Sequence, residues 1–230
     1  TEGSRILKHL NFLLVPFLMI WLSACAITEP PELTARNLVE QAAQTLERFR
    51  AHKDLKGYAD FLPNAAAVVI LPQVLKASFI GGGEAGNGVL VARKADGSWS
   101  DPTFHTLGAA SIGFQIAIQD TALVLVVRSP GALDAILRHQ GKLGADIGAS
   151  VGVVGIGLEA STTSNLGVDI LAFANTNIGA YMGGSLEGSV LAIRRDLNEA
   201  YYGVGAKPHE ILSGARKAPG AKRLIEMLGR

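Results

Sequence analysis

The stretch AAAVVILPQVLKASFIGGGEAGNGVLVAR, residues 65–93, is the most informative part of this 230-residue sequence for the architecture. It contains two apolar, β-branched runs, Ala67–Leu71 and Gly88–Arg93, which predict strands. A glycine-rich step separates them, and glycine in strand-like sequence indicates a bulge or a close approach of two backbones. The stretch therefore predicts tightly apposed strands rather than a helix.

Similar runs continue along the chain, separated by short turns. Gly113–Gln119 and Ala122–Arg128 predict an antiparallel pair of strands joined across Asp120-Thr121. A second β-rich half follows, with runs at Ile147–Ala160, Val168–Ala174, Gly179–Met182 and Val190–Arg194. With 27 glycines and only 6% aromatic residues, the composition also favours a sheet over a helical bundle.

Helices are predicted before, within and after the β-rich region. The first is indicated by apolar residues that recur near the helical period: Leu38, Ala42, Leu46 and Phe49. Ser129-Pro130 provides an N-cap and a first-turn proline for a second helix, which stops at Gly141. Two short helices follow around His209–Leu212 and Ala221–Leu228. This order predicts an α+β fold: a largely antiparallel, glycine-rich sheet or barrel-like meander with flanking helices.

The two halves of the chain resemble one another weakly. Phe79–Gly86 aligns without gaps with Tyr181–Gly188, and both segments contain an aromatic residue, an aliphatic residue and a Gly-Gly pair. Each is followed by an apolar run that reaches an arginine, Arg93 or Arg195. We interpret this as two weakly repeated halves, with chance similarity in a glycine-rich chain as the competing explanation.

The first 25 residues have the layout of an export signal. Arg5 and Lys8 precede the apolar run Leu10–Leu22, and small residues follow it. The run is shorter than the ~20 apolar residues that a membrane-spanning helix needs. Cys25, the only cysteine, ends the string Leu22-Ser23-Ala24-Cys25, which resembles the lipobox of bacterial lipoproteins. That resemblance implies a diacylated Cys25 as the first residue of the mature protein.

The sequence accordingly predicts a signal peptide over residues 1–24, a tether over 25–32 and one domain over 33–230. Without residues 1–24 the chain has 19 basic and 19 acidic side chains, so no net positive charge attracts nucleic acid. A single cysteine also excludes an intramolecular disulfide.

Two short motifs suggest an enzyme. Gly81-x-Gly83-x-x-Gly86 matches the dinucleotide pattern, but a strand-like run follows where phosphate binding needs a helix N-terminus. Residues 148–152 match the nucleophile-elbow pattern around Ser150, and Asp169 and His209 follow in the order of a hydrolase triad. A strand-like run again follows the serine, which makes a hydrolase the weaker hypothesis. The histidines show no ligand spacing, and the sequence predicts neither a metal nor a cofactor.

Several blocks of the sequence resemble the SYLF-domain family. The first is VILPQVLKASFIGG, residues 69–82, and the second is GSWSDPTFHTLG, residues 97–108. Further blocks follow in order at residues 111–119, 143–146, 185–188 and 198–203. The resemblance covers residues 60–214, which is nearly all of the predicted domain.

This resemblance implies a lipid-binding module without a defined active site. Eukaryotic SYLF proteins bind phosphoinositides and act at membranes with the actin cytoskeleton, while bacterial members are commonly exported lipoproteins. The chain departs from the family at Ala65-Ala66-Ala67, where many members have Ala-Lys-Gly. We therefore do not carry over a phosphoinositide pocket, nor the actin binding of fungal members.

Anionic lipid head groups are bound by clustered lysine and arginine. The candidate head-group site consists of basic residues from the first SYLF block and the repeated segments: Lys76, Arg93, Lys94, Arg194 and Arg195. The alternative interpretation is that these side chains are solvated at strand ends. Other basic clusters lie at Lys53/Lys56, Arg216-Lys217 and Lys222-Arg223.

The resulting hypothesis is a non-catalytic, phospholipid-binding lipoprotein of the bacterial envelope, anchored through Cys25. Ala26 rather than aspartate follows the cysteine, which favours the outer membrane, facing the periplasm. Its partners are the phospholipid membrane and, as a further option, an envelope protein, but not nucleic acid. The alternatives are a structural envelope protein that binds a protein or cell-wall polymer, and a serine hydrolase using Ser150, Asp169 and His209. The lipid and the oligomeric state stay open.

Overall fold

A computed structural model of the chain describes residues 29–78, 81–112, 117–139, 143, 150–154, 167–175 and 188–229. The strands within these ranges are β1 Ala67–Ser78, β2 Gly81–Ala92, β3 Thr103–Ile112, β4 Ala117–Val127, β5 Val151–Val154, β6 Ile170–Ala174 and β7 Val190–Ile193. The helices are α1 Pro31–Ala51, α2 Tyr58–Phe61, α3 Pro130–His139, α4 Arg195–Tyr202, α5 Pro208–Leu212 and α6 Lys222–Gly229, with a 3-10 turn at Leu62–Asn64.

The strands form one sheet in the order β5-β6-β4-β1-β2-β3-β7. Neighbouring strands are antiparallel except for β5 and β6, which run parallel. The predicted α+β class with a largely antiparallel sheet is therefore confirmed. Within the described residues β5 and β7 lie at opposite edges without pairing, so the sheet is open and the barrel-like alternative is wrong.

Both faces of the sheet are buried, which explains why its central strands are apolar at consecutive positions. On one face Val68, Ile70 and their neighbours pack against the apolar side of α1, together with Leu197 of α4 and Leu224 of α6. On the other face Val69 and its neighbours pack against α3. Both cores consist of residues of the unit Pro31–Arg230, which is separate from the unit Thr1–Pro30. The larger unit thus contains the cores that it needs to fold.

The glycines of β2 are explained by its contact with β1. The pairing of β1 shifts register around Pro72, because proline has no N–H to donate and is tolerated in a sheet only at a bulge or an edge. At this irregularity a Cβ on Gly86 would lie 2.4 Å from the carbonyl oxygen of Gln73. A Cβ on Gly88 would lie 2.4 Å from that of Ile70. The two backbones therefore approach too closely for any side chain.

Most predicted helices are confirmed. All four apolar positions chosen for α1 are buried, and the helix begins at Pro31, two residues before the predicted start of the domain at residue 33. Ser129 caps α3 as predicted: the Ala132 N–H donates to Ser129 Oγ at 3.1 Å. The short helices α5 and α6 lie within a residue of their predicted positions. The stop at Gly141 lies outside the described residues.

The predicted turn at Asp120-Thr121 is wrong. β4 is one continuous strand through both residues, which pair with Leu75 and Val74 of β1. Asp120 remains exposed and accepts a hydrogen bond from Gln73 Nε2 at 2.8 Å, so a polar side chain is satisfied without a chain reversal. Helix α4 was not predicted, although Asp196 in its first turn and Gly203 at its end are ordinary helix signals.

Several predictions concern segments outside the described residues. Cys25 and the export signal belong to residues 1–28, and the second copy of the weak repeat falls largely within residues 176–187. Among the described residues, no helix is both long and apolar enough to cross a membrane.

Replacing Gly88 with alanine should destabilise the domain, because the new methyl group would press on the Ile70 carbonyl. Overpacking of this kind costs about 1–3 kcal/mol, so we expect a loss of about 2 kcal/mol in the free energy of unfolding. Gly83→Ala is the matched control in the same strand, since its Cβ would meet nothing closer than 3.9 Å. Urea unfolding measures both variants, and equal midpoints for Gly83→Ala and Gly88→Ala would contradict the packing argument.

Burial of His105 should make the domain less stable in acid. The imidazole on β3 is fully buried, its Nε2 lies 3.0 Å from Thr103 Oγ1, and burial lowers its pKa from 6.5 to about 4. Between these pH values the unfolded chain binds a proton that the folded chain does not, so stability falls as the pH decreases. The free energy of unfolding should therefore fall by about 2 kcal/mol between pH 7.5 and pH 5.

Urea unfolding at the two pH values tests this expectation. The loss of stability on acidification should be smaller in His105→Gln, whose amide can still reach Thr103, than in the wild type. His209→Gln, which changes an exposed histidine, should behave like the wild type. The interpretation fails if His105→Gln loses as much stability as the wild type.

Candidate functional site

Arg93, a member of the predicted head-group site, lies against the protein itself. Its guanidinium carbon is 3.7 Å from the centroid of the Trp99 ring, a cation–π contact. The same group donates to the carbonyl oxygens of Leu62 at 2.6 Å and Gly97 at 3.0 Å. Burial lowers the pKa of Arg93. These contacts hold the start of the β2–β3 connection against the turn before β1.

Arg194, at the start of α4, is also engaged within the fold. It forms a bidentate ion pair with Asp196, with nitrogen–oxygen distances of 2.9 and 2.6 Å, and donates to Asn87 Oδ1 at 2.7 Å. The hydrogen bonds that Arg194 donates to Asp196 raise the pKa of Arg194 and lower the pKa of Asp196. The next residue, Arg195, is exposed. Of this adjacent pair, Arg195 is therefore the side chain available to a partner.

The predicted site residues are distributed along β2 rather than gathered at one point. In the ladder between β1 and β2, the backbone of Lys76 lies opposite that of Glu84. Arg194 contacts Asn87 of β2, and Arg93 follows the end of β2. Nine residues separate Glu84 from Arg93, a distance of about 30 Å along a strand at ~3.3 Å per residue. The structure therefore does not bring the five residues into one pocket. Head-group binding by any one of them stays a prediction.

Lys94, which follows Arg93, forms an ion pair within the β2–β3 connection. Its Nζ lies 3.8 Å from Asp96, and the charges of Lys217 and Lys94 both act on Asp101. Burial raises the pKa of Asp101, and these two lysines partly offset that effect. Pro102, the residue after Asp101, is attached to α4, because Tyr202 Oη donates to its carbonyl oxygen at 2.7 Å. Lys94 is thus engaged with Asp96 in the β2–β3 connection, and Tyr202 attaches this connection to α4.

The zero net charge predicted for the mature chain conceals a separation of charge. Residues 194–229, which we call the basic helical segment, contain seven basic and four acidic side chains. Residues 29–193 contain 11 basic and 15 acidic side chains. Within the basic helical segment the exposed cations are Arg195, Lys207, Lys217, Lys222 and Arg223. Of these, Arg223 is paired with Glu40 and Glu47 of α1, and Lys222 Nζ lies 3.8 Å from Glu226. Net charge summed over the whole chain missed this segment, whereas a count by segment would have found it.

Ser150, Asp169 and His209 do not form a hydrolase triad. Ser150 Oγ lies 3.1 Å from Asp169 Oδ2, so serine and carboxylate contact each other directly, where a triad has an imidazole between them. Hydrogen bonds from Ser129 and Ser150 lower the pKa of Asp169. Strand β5 follows Ser150, while a nucleophile elbow leads into a helix. The arrangement anchors the start of β5 to β6.

A polar groove of about 800 Å³ lies between α1 and the sheet. Its polar lining comprises Gln41, Gln44, Glu47, Arg48, Gln73, Asp120 and Asn175. Two carboxylates and one guanidinium give the lining a net negative charge, which disfavours an anionic head group. Within the described part of the chain, no group of three His, Cys, Asp or Glu residues could hold a metal ion.

Comparison with known proteins places the chain among proteins of one family. The family model "Ysc84: Las17-binding protein actin regulator" matches residues 108–230. Protein YSC84 of Saccharomyces cerevisiae is 30% identical over 201 residues, covering 85% of this chain and 43% of the yeast protein. LAS seventeen-binding protein 3 of the same yeast is 30% identical over 202 residues, covering 85% of this chain and 44% of that protein.

A human relative extends the comparison. SH3 domain-containing YSC84-like protein 1 of Homo sapiens is 28% identical over 209 residues, which cover 88% of this chain and 60% of the human protein. The chain thus spans less than two thirds of the length of each of these relatives. No solved structure matches it significantly. The matched family model covers more than half of the residues, and the chain belongs to the Ysc84 family, whose SYLF domain its sequence blocks resemble.

Proposed function

We propose that this chain is a non-catalytic, membrane-anchored domain that binds anionic phospholipid through its basic helical segment. The observation that carries the proposal is the separation of charge between residues 194–229 and the rest of the domain. A cationic surface attracts anionic lipid even when the protein as a whole is neutral, with about 1 kcal/mol from each Lys or Arg near the membrane. The predicted site is accordingly reduced to Arg195, its exposed member among the described side chains, and extended to Lys207, Lys217 and Lys222 of this segment.

Acylation of Cys25 would supply the residence at the membrane. We propose that residues 1–24 direct export and that the lipid on Cys25 holds the domain in the bacterial outer membrane, facing the periplasm. Each buried CH₂ of an acyl chain contributes about 0.8 kcal/mol, so a diacylated cysteine anchors firmly. Once the domain is tethered, its effective concentration at the surface is high, and a weak affinity of the basic helical segment for lipid is sufficient.

Binding of a protein partner is the second candidate function. It is favoured by the description of the matched family, a Las17-binding protein actin regulator, and by the name of LAS seventeen-binding protein 3. In this case the basic helical segment or the groove beside α1 would contact a protein, and lipid would serve only as the anchor. Vesicle binding by the soluble domain separates the two functions.

Reversing exposed charges should weaken vesicle binding without unfolding the domain. The fragment 31–230 should sediment with vesicles of equal parts phosphatidylglycerol and phosphatidylcholine, but not with pure phosphatidylcholine, and binding should fade with added salt. Arg195→Glu with Lys222→Glu should lower the affinity about tenfold or more. Both residues begin helices, where a glutamate interacts favourably with the helix dipole, so the fold should tolerate the change.

Lys53→Glu with Lys56→Glu is the matched control, since it makes the same change in net charge outside the basic helical segment. It should bind more tightly than the Arg195/Lys222 double variant. Equal loss in the two double variants would show that total charge, rather than this segment, governs the affinity. Absence of wild-type binding to either vesicle would overturn lipid binding and leave the protein-partner function.

Replacing Cys25 with serine in the full chain should release the protein from membranes. The serine hydroxyl cannot take the thioether-linked lipid, so the mature protein would lack its acyl anchor. Fractionation of cells that express each form in a bacterial host measures the outcome: the wild type should remain in the membrane fraction and Cys25→Ser should not. Retention of Cys25→Ser in washed membranes at high salt would contradict anchoring through this residue.

A further inference from the structure

The loop between α4 and α5 presents one apolar side chain to solvent. Val204 is 88% exposed, compared with 47% for Leu33 and 50% for Leu75, the other large exposed apolar residues of the described chain. An exposed valine is not unusual by itself. This one is distinguished by the way in which the loop around it is built.

The backbone of this loop is held by one arginine side chain. A single nitrogen of Arg216, Nη1, contacts the carbonyl oxygens of Tyr202 at 3.4 Å, Gly203 at 3.2 Å and Val204 at 3.2 Å. The Gly205 N–H donates to Glu199 Oε1 at 3.3 Å. Gly203 and Gly205, with φ of 95° and 74°, allow the chain to turn on either side of Val204.

This construction makes the valine a preformed contact. Arg216 binds three carbonyl oxygens of the loop and Glu199 accepts the Gly205 N–H, while the isopropyl group of Val204 is exposed to a partner. A loop that is already ordered loses little conformational entropy on binding, which leaves more of the contact energy as affinity. The small apolar side chain of Val204 suits a partner that can bind it without a complementary pocket.

The side chains around the loop are mainly cationic. Lys207 lies three residues after Val204, and Lys217 follows the arginine that holds the loop; both are exposed. Arg216 itself is paired with Glu210 at 3.5 Å, and Glu199 is used by the Gly205 N–H. Two exposed lysines thus accompany one exposed valine.

We propose that Val204 inserts into the interfacial region of an anionic membrane while Lys207 and Lys217 contact the head groups. A protein partner fits this surface less well, because stable protein interfaces bury about 800 Å² on each side and one valine provides a small fraction of that area. A bilayer accepts a single apolar side chain at its surface and adapts to its shape. The inference rests on the proposed lipid binding and names its point of contact.

Two substitutions at this position test the insertion. On vesicles of equal parts phosphatidylglycerol and phosphatidylcholine, Val204→Asn in the fragment 31–230 should bind about fivefold more weakly than the wild type. Val204→Trp should bind more tightly, and brominated phosphatidylcholine in the vesicle should quench its fluorescence. The native Trp99 is buried and provides the unquenched background.

Leu33→Asn is the matched control. Leu33 is also exposed, but it lies beside Glu32 at the start of α1, so its replacement should leave vesicle binding unchanged. Circular dichroism of each variant checks that the fold is retained, as the exposure of both positions leads us to expect.

The outcomes distinguish the inference from the function on which it rests. Insertion is overturned, while lipid binding stands, if the wild type binds anionic vesicles, Val204→Asn binds equally well and the tryptophan is not quenched. Both are overturned if the wild type does not bind. A salt-sensitive affinity together with quenching of Val204→Trp supports both.

Discussion

At residues 86 and 88 the backbone of β2 lies so close to β1 that no side chain fits at either position. The rest of the sheet depends on this approach. β1 pairs with β2 on one side and β4 on the other, and its register shift around Pro72 is accommodated only because the facing positions are glycine. The ladders of β1 with β2 and of β1 with β4 position the strands that support α1 and α3. They also position the β2–β3 connection, which contains Trp99. Gly86 and Gly88 are thus required by packing, and the resemblance of 81–86 to a phosphate-binding loop lies within a strand rather than before a helix.

Much of the fold could be predicted because its signals are local. Only a few neighbouring residues are needed to recognise the helical period of α1, the Ser129 cap and the apolar runs of β1 and β4. The failures arise where distant residues complete the local structure. Asp120 resembles a turn residue in sequence, but Gln73, nearly fifty positions away, satisfies its carboxylate inside a strand. Helix α4 is short, and Asn198 attaches it to β3 through both the N–H and the carbonyl oxygen of Phe104.

The candidate site was harder to predict, because the availability of a charge depends on its neighbours in space. Arg93 and Arg194 are basic in sequence and belong to repeated segments, yet one is stacked on Trp99 and the other is paired with Asp196. Arg195 differs from Arg194 by one position and is exposed. The charge of the basic helical segment is visible in the sequence when counted by segment. The locked loop around Val204 is not visible, since it depends on Arg216, twelve residues further on.

The last helix is held by donors from two other parts of the chain. Arg50 Nη2 donates to the Met227 carbonyl at 3.0 Å, and Trp99 Nε1 donates to that of Leu228 at 3.2 Å. Trp99 is the only tryptophan of the unit Pro31–Arg230 and is stacked beneath the Arg93 guanidinium. Its emission therefore reports on one event: undocking of α6 exposes the indole to water and removes its hydrogen bond together. The fluorescence of Trp99 can therefore be used to follow the docking of α6 on the domain.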